Sequence, residues 1–343
     1  MDRVTDHRVR PISVDDLGID IAAPEVTGAS EAETTVDTVE EQPPVQKLEV
    51  SDKHLMEVQA ALDMGFAGVI LSGPPGTGKS YYAERIAHTI ATDADAVTTV
   101  QFHASYQYED FIQGFVPKES GGFELQDKVF VLACKRALSQ PAAKHVIVID
   151  EISRCDVARV FGEALTYMEM DKRGKVFTLS SGDQMTIPPN LTILATMNPW
   201  DKGVDELDVA FERRLAQIDF PPDPDALREI LTNKGAAPEF VDRMVTFFIG
   251  IQKLDDELVH LGHAYFNNCL DEERARRAWA YRLLPFFKKA CRLNKDLLSQ
   301  IQRLWLKAVP NPVTTEAPAE EPATTAELLG TEPAPAEPTA QGV

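Results

Sequence analysis

The order of apolar and polar positions divides the chain sharply. Between about residue 67 and residue 220, five short runs rich in β-branched and apolar residues recur: Ala67–Leu71, Ala96–Phe102, His145–Ile149, Leu191–Thr196 and Ala216–Phe220. Their length and composition predict strands. Between them, apolar residues at helical spacing predict helices over Tyr81–Ile90, Val129–Leu138 and Val157–Met170. A leading helix, capped at Ser51-Asp52, runs to about Met64. Short buried strands alternating with helices predict a parallel sheet covered on both faces. Two stretches interrupt that rhythm and predict hairpins. One is Phe115–Leu125 around Ser120-Gly121-Gly122, the other Val176–Ile187 around Ser180-Ser181-Gly182-Asp183. Pro221-Pro222-Asp223-Pro224 ends the alternation, and helices are expected over 225–234, 238–253, 271–290 and 294–307.

Charge changes the picture at the two ends. The 343 residues carry a formal charge of −20. Residues 1–50 hold 12 acidic and 4 basic residues, and 309–343 hold 6 acidic and no basic ones. Both ends lack aromatic residues, and seven prolines crowd the second, so both are expected to be disordered. The sparse apolar set Ile12, Val14, Leu17, Ile19 and Ile21 suits docking on a partner or no role at all, and the second reading is preferred. An acidic chain gives no electrostatic reason to bind DNA, RNA or an anionic membrane unaided.

No segment approaches the roughly 20 apolar residues of a membrane span, and Met1–Arg10 is charged, with no apolar run of a secretory signal after it. Cys134, Cys155, Cys269 and Cys291 make no metal or redox spacing and suit a reducing compartment. A soluble cytoplasmic protein is the expectation.

The candidate chemistry begins at 73–80, Gly73-Pro74-Pro75-Gly76-Thr77-Gly78-Lys79-Ser80. Gly73, Gly78, Lys79 and Ser80 fit G-x-x-x-x-G-K-[ST], with a strand before and a helix after. Glycines let the backbone turn tightly and aim its amides at an anion. Lys79 then reaches the β- and γ-phosphates, and Ser80 offers its hydroxyl to Mg²⁺. A second strand, Val146–Ile149, ends in Asp150-Glu151, which suits a metal-holding carboxylate followed by a general base for water. A third ends at Asn198, a polar amide placed to orient that water, or simply a turn residue before Pro199. Arg213 and Arg214 follow a short expected helix, Asp205–Ala210. A fixed guanidinium stabilises a departing phosphoryl group, and which of the two serves is open.

In this order these parts resemble the AAA+ ATPase family. Val100–Phe115, with its Tyr106-Gln107-Tyr108-Glu109-Asp110-Phe111, looks like the signature of McrB-type motors in the dynein-related/MoxR-like branch, although the same aromatics equally suit packing at the sheet edge. Ile149–Arg154, Val160–Glu163, Met197-Asn198 and Leu261-Gly262-His263-Ala264-Tyr265-Phe266 fit the same group, over about 51–290. Arg154 is expected at a subunit interface or paired with Asp156. The run Asn198-Pro199-Trp200-Asp201-Lys202-Gly203 departs from the family's Asn-x-x-Asp-Arg-Ser, which favours ATP over GTP.

The resemblance implies an α/β AAA+ domain over 51–220, with a five-stranded parallel sheet and two inserted hairpins, a helical lid over 221–308, and tails at 1–50 and 309–343. It implies ATP, with GTP as the alternative, and Mg²⁺ as cofactors. It implies a ring, usually hexameric, that remodels a protein partner. The alternatives are the motor subunit of a McrBC-like nucleic-acid-processing complex, or a slowly cycling assembly scaffold.

Overall fold

The computed structural model describes residues 45–199 and 211–311, Glu212 excepted. The expected short helix at 205–210, the run 200–203 and most of both acidic ends lie outside these residues. Nine strands occur among those described. β1 (Gly68–Ser72), β2 (Val97–Gln101), β5 (His145–Asp150), β8 (Leu191–Met197) and β9 (Leu215–Asp219) form one parallel sheet in the order β2-β5-β8-β1-β9. β3 (Gln113–Pro117) pairs antiparallel with β4 (Phe123–Asp127), and β6 (Val176–Thr178) with β7 (Gln184–Thr186). These are the two expected hairpins.

The central strands are mostly apolar because both faces are covered. Each sends alternate residues to opposite sides. Ile70, Ile147, Ile149, Ile193 and Ala195 join one buried cluster with Phe102, Phe111, Phe130 and Phe161. Val69, Leu71, Val146, Val148 and Leu194 join another with Leu55, Val58 and Ile86. The helices on these faces are α1 (Lys53–Asp63), capped by Asp52, α2 (Lys79–Ile90) and α4 (Val129–Ser139). A four-residue helix, α3 (Tyr108–Phe111), follows β2. The aromatics of this stretch are core packing: Tyr106 stacks on Phe102 and Phe111 on Phe130, at centroid distances of 4.6 and 5.0 Å.

The single helix expected over Val157–Met170 is broken into α5 (Val157–Phe161), α6 (Ala164–Tyr167) and a short 3₁₀ turn at Met170–Lys172. The break falls at Gly162, whose φ of 49° and ψ of −128° no side chain tolerates well. A Cβ there would lie 2.8 Å from the Tyr108 ring. Ahead of the expected start of the fold, residues 45–50 lie on α2, where Leu48 N donates to Thr89 Oγ1 at 2.9 Å.

Beyond Pro222, α7 (Pro224–Asn233), α8 (Pro238–Gln252), α9 (Glu272–Ala278), α10 (Leu284–Ala290) and α11 (Lys295–Ala308) enclose their own apolar cluster, with Trp279 stacked on Trp305 at 4.5 Å. Between α9 and α10 the chain makes a π turn, Trp279–Leu283, ahead of Pro285. Proline has no N–H to continue the ladder. Packing adds a second reason. Ala275 and Phe287 are both fully buried in this cluster, yet twelve residues of straight α-helix would set them roughly 120° apart. The one-residue insertion of a π turn brings them back to within roughly 20°.

Arg173 ties the second hairpin to the sheet. It is buried, and its guanidinium donates to the carbonyls of Met168, Pro188, Leu191 and Ala67 at 2.7–3.3 Å. Burial pushes its pKa down to about 10, so it stays charged at neutral pH. We expect Arg173→Met to lower the unfolding free energy by about 2–4 kcal/mol, because it strands several buried acceptors. Urea denaturation measures this, and an unchanged midpoint would show that the carbonyls find other partners.

Candidate functional site

The sheet order brings three strand ends together. β8 runs between β5 and β1, so Thr196 and Asn198 lie between Asp150-Glu151 and the 73–80 loop. The loop starts at Gly73, whose N donates to Met197 O at 3.3 Å, and a Cβ on Gly73 would come within 2.2 Å of Phe220 O. Only glycine fits so close an approach. Gly76 and Gly78 take the left-handed conformation, with φ of 79° and 90°. Gly78 is the N-cap of α2 and supplies no side-chain cap, which leaves the first-turn amides of Lys79 and Ser80 for an anion.

The loop's carbonyls are turned to other uses. Lys79 Nζ donates to Gly73 O and Pro74 O, each at 2.8 Å, and Thr77 Oγ1 donates to Pro74 O at 3.1 Å. Pro75 O accepts from Gly262 N at 2.8 Å, and Gly76 O from Ala264 N at 2.9 Å. The last two bonds fasten the helical region directly to the loop. Gly262 permits them: a Cβ on it would lie 2.0 Å from Gly76 C. The Tyr265 ring lies so close over Gly76 that a Cβ there would meet it at 2.5 Å. His263 is buried beside Gly78, and burial holds its imidazole pKa below the ordinary value, which favours the neutral form.

Asp150 sits at the centre. Its Oδ1 accepts from Ser80 Oγ at 2.7 Å and from Thr196 Oγ1 at 2.5 Å. Thr196 Oγ1 in turn accepts from Glu151 N at 3.1 Å. Glu151 has φ 57°, the one non-glycine residue with left-handed backbone among those described. Such outliers persist where the surroundings hold them, and the Thr196 bond is one such restraint. Glu151 Oε2 also accepts from Arg154 Nε at 3.2 Å. Asp156, one of the two placements expected for Arg154, caps α5 with its side chain. Asn198 is buried and, with Lys79, Ser80, Glu151 and Arg154, lines a cavity of about 520 Å³ that Tyr265 closes from the lid side.

A hydroxyl and a carboxylate oxygen 2.7 Å apart form part of the oxygen set a hard divalent cation takes. Among the described residues no cluster of three or more His, Cys, Asp or Glu could hold a metal alone. A cation here therefore needs further oxygens from water or phosphate, as Mg²⁺ usually does.

Arg213 and Arg214 are not part of this cavity. Arg214 O accepts from Ala67 N, at the start of β1, whereas the loop follows the end of β1. The five residues of that strand set the two regions on the order of 17 Å apart. Both arginines pair with Glu169 Oε1, at 2.7 and 2.8 Å. Their exposures differ: the Arg213 side chain is 67% exposed, that of Arg214 only 6%. Hydrogen bonds from Lys172 and Arg213 hold Glu169 down to a pKa of about 2.

Sequence reasoning did not single out Thr196 or the bond from Arg154 to Glu151. Thr196 is the one hydroxyl in the apolar β8 run Ile193–Met197, and that was the available signal.

Residues 68–215 match the AAA domain of the dynein-related subfamily. The chain is 38% identical over 215 residues to the Type IV methyl-directed restriction enzyme EcoKMcrB subunit of Escherichia coli (strain K12), covering 58% of this chain and 47% of that protein. It is 31% identical over 186 residues to the Type II restriction enzyme BsuMI component YdiS of Bacillus subtilis (strain 168), covering 42% of this chain and 54% of that one. The chain thus spans about half the length of these relatives. Among the described residues no helix is long and apolar enough to cross a membrane.

The Thr196 node makes a testable claim. Thr196→Val keeps the shape but leaves the Glu151 N–H unpaired and removes one donor to Asp150. We expect a loss of about 1–2 kcal/mol in unfolding free energy, read by chemical denaturation. A variant as stable as wild type would show that the hydroxyl does not hold the turn.

Proposed function

We infer, from the premise that residues 68–215 are an AAA domain of the dynein-related subfamily, a nucleoside triphosphatase close to McrB-type motors, that the chain is a Mg²⁺-dependent ATPase working as a ring of copies. The observation that carries this reading is the convergence of Ser80 and Asp150 at 2.7 Å, beside an uncapped helix N-terminus and Lys79.

In this reading the amides of Gly76, Thr77 and Gly78, in a loop shaped by Gly73, Pro74 and Pro75, bind the β- and γ-phosphates together with the Lys79 ammonium. Lys79 exchanges its bonds to Gly73 O and Pro74 O for phosphate oxygens. Ser80 Oγ and an Asp150 oxygen hold Mg²⁺, which when bound neutralises charge on the polyphosphate. Thr196 keeps Asp150 and the Glu151 backbone in register. Glu151 takes the proton of the attacking water and Asn198 orients that water. The Glu151–Arg154 ion pair must loosen for the carboxylate to face the water.

Arg213 and Arg214 stand too far from their own loop to act on it, so either one reaches a γ-phosphate only in a neighbouring copy. Arg213, exposed and tethered by one carboxylate, is our choice for that finger. Arg214, buried on Glu169, supports the surface from which Arg213 projects. Domain limits of 51–220 and 221–308 suit this division, with the lid fastened to the loop. The ring remodels a protein partner. A second reading, a motor subunit in a nucleic-acid-processing complex, is favoured by the names of the relatives, both components of restriction enzymes. DNA-stimulated turnover in the presence of a nuclease partner selects it.

We expect Lys79→Ala to abolish nucleotide binding, and Glu151→Gln to bind ATP without hydrolysing it. Wild-type turnover by Glu151→Gln would remove Glu151 as the base. Arg213→Ala should lose about a thousandfold in turnover while still binding ATP. Mixing Arg213→Ala with Lys79→Ala should restore part of the activity, since each supplies what the other lacks. Full activity of Arg213→Ala alone, or mixtures as dead as their components, would refute the finger.

A further inference from the structure

Positive charge gathers in one stretch of the helical region. Between 274 and 295 there are eight basic residues and no acidic one, in a chain whose formal charge is −20. Three of the eight are neutralised locally: Arg274, Arg276 and Arg277 of α9 pair with Asp271, Glu272 and Glu273. Further on the counter-charge stops. The side chains of Arg282, Lys288, Arg292 and Lys295 are exposed and form no hydrogen bond or ion pair with the described residues. Lys289 lines the cavity beside the phosphate loop and belongs to another face.

The fold holds these charges outward. Leu283, Phe287 and Cys291, four residues apart, are buried in the helical core, so the opposite side of α10 and its flanking turns faces solvent. Tyr281, Pro285, Lys288 and Arg292 follow one another at spacings of three and four and are all exposed. Phe286 packs on Tyr265 at 5.6 Å, which fixes the rotation of the helix. Two large apolar side chains stand among the bases: Tyr281 is 83% exposed and Leu293 92%.

An acidic segment of the same chain starts close by. Arg276 Nη2 donates to Pro310 O at 2.8 Å, so the chain leaves α11 beside α9, which continues through the π turn into α10. Beyond Asn311 come six glutamates and no basic residue. Glu316 follows Pro310 by six residues, a reach of up to about 20 Å, and Glu320-Glu321 by ten and eleven, up to about 35 Å. From Arg276 to Arg292 is roughly 24 Å at helical rise, so the glutamates span the whole face. Leu328-Leu329, next to Glu327, offers apolar groups to Tyr281 and Leu293. Exposed ion pairs are individually weak, but tethering supplies an effective concentration on the order of millimolar. The other acidic end joins the fold at 45–50 on α2, where Leu48 N meets Thr89 Oγ1, and not beside α9.

We propose that residues 312–343 dock on the exposed basic face of α10, with their glutamates against Arg282, Lys288 and Arg292. The segment covers this face, and any other polyanion binds there only by displacing it.

A carbodiimide joins an amine to a carboxylate only where the two touch. The full chain, mixed with an equal amount of heavy-isotope-labelled chain, is treated at low salt and its peptides are mapped by mass spectrometry. Lys53 and Asp223, 2.9 Å apart, are the internal standard. We expect links from Lys288 or Lys295 to Glu316, Glu320 or Glu321 within one isotope, and their loss near 1 M salt, where the Debye length is about 3 Å. A fluorescent single-stranded oligonucleotide, used as a polyanion probe, gives the second measurement. Replacing all six glutamates beyond Asn311 by glutamine in the full chain should tighten its binding about tenfold, as for a face otherwise open one-tenth of the time. Adding Arg282→Gln, Lys288→Gln and Arg292→Gln should remove that gain. Absence of the links while the standard forms overturns the proposal. So do links that join the two isotopes, which would give the face to a second copy. An unchanged oligonucleotide affinity, or a gain that survives loss of the three bases, overturns it as well.

Discussion

One carboxylate organises the site. Asp150 Oδ1 accepts from two hydroxyls that arrive on different elements, Ser80 at the start of α2 and Thr196 near the end of β8. Hydrogen bonds to an ionised acceptor are short and strong, and this pair fixes the loop helix, β5 and β8 against one another. Thr196 also receives the Glu151 amide, so the unusual backbone at Glu151 is held by the same hydroxyl. Remove the carboxylate and the loop helix, β5 and β8 lose their common reference. The parallel sheet makes the node possible, since it is the arrangement that sets the carboxyl ends of β5, β8 and β1 side by side.

The helical region bears on the same loop through its backbone. Two carbonyls of the loop, Pro75 O and Gly76 O, are hydrogen-bonded to Gly262 N and Ala264 N. Proline at 74 and 75 removes two amides that would otherwise compete inside the loop, while the glycines at 76 and 262 allow the two backbones to touch. A shift in the loop therefore moves the 262–266 segment, and with it Tyr265, Phe286 and α10. That is a short path from the cavity beside the loop to a whole helical layer, and it passes through two glycines, 76 and 262, where an added methyl group would clash.

The two ends of the sheet have different tasks in the proposed cycle. One end gathers the loop, Asp150, Glu151 and Asn198. The other carries Glu169 with Lys172, Arg213 and Arg214, an ion cluster with its single carboxylate held at low pKa. In the proposed cycle the phosphate cradle and the exposed arginine, a strand's length apart, are brought together by a copy of the chain. The proposal of a ring draws its force from that separation.

Much of this was legible in the sequence, for physical reasons that act locally. Apolar runs of five or six residues are strands wherever both faces are buried, and the 73–80 pattern dictates its own turn because only glycine serves at 73, 76 and 78. Asp150, Glu151 and Asn198 follow from strand ends in order. The rest depended on contacts between residues far apart in the chain. The break at Gly162 answers to the Tyr108 ring. The π turn answers to a core that must bury both Ala275 and Phe287. The role of Thr196 exists only because β8 inserts between β5 and β1. Composition treats Arg213 and Arg214 alike; packing against Glu169 buries one and leaves the other in solvent. Sequence determined which chemical groups the protein has and which short segments carry them, because turn and strand preferences are local. Tertiary structure alone decided which groups meet, because distance and burial belong to the folded sheet and its lid.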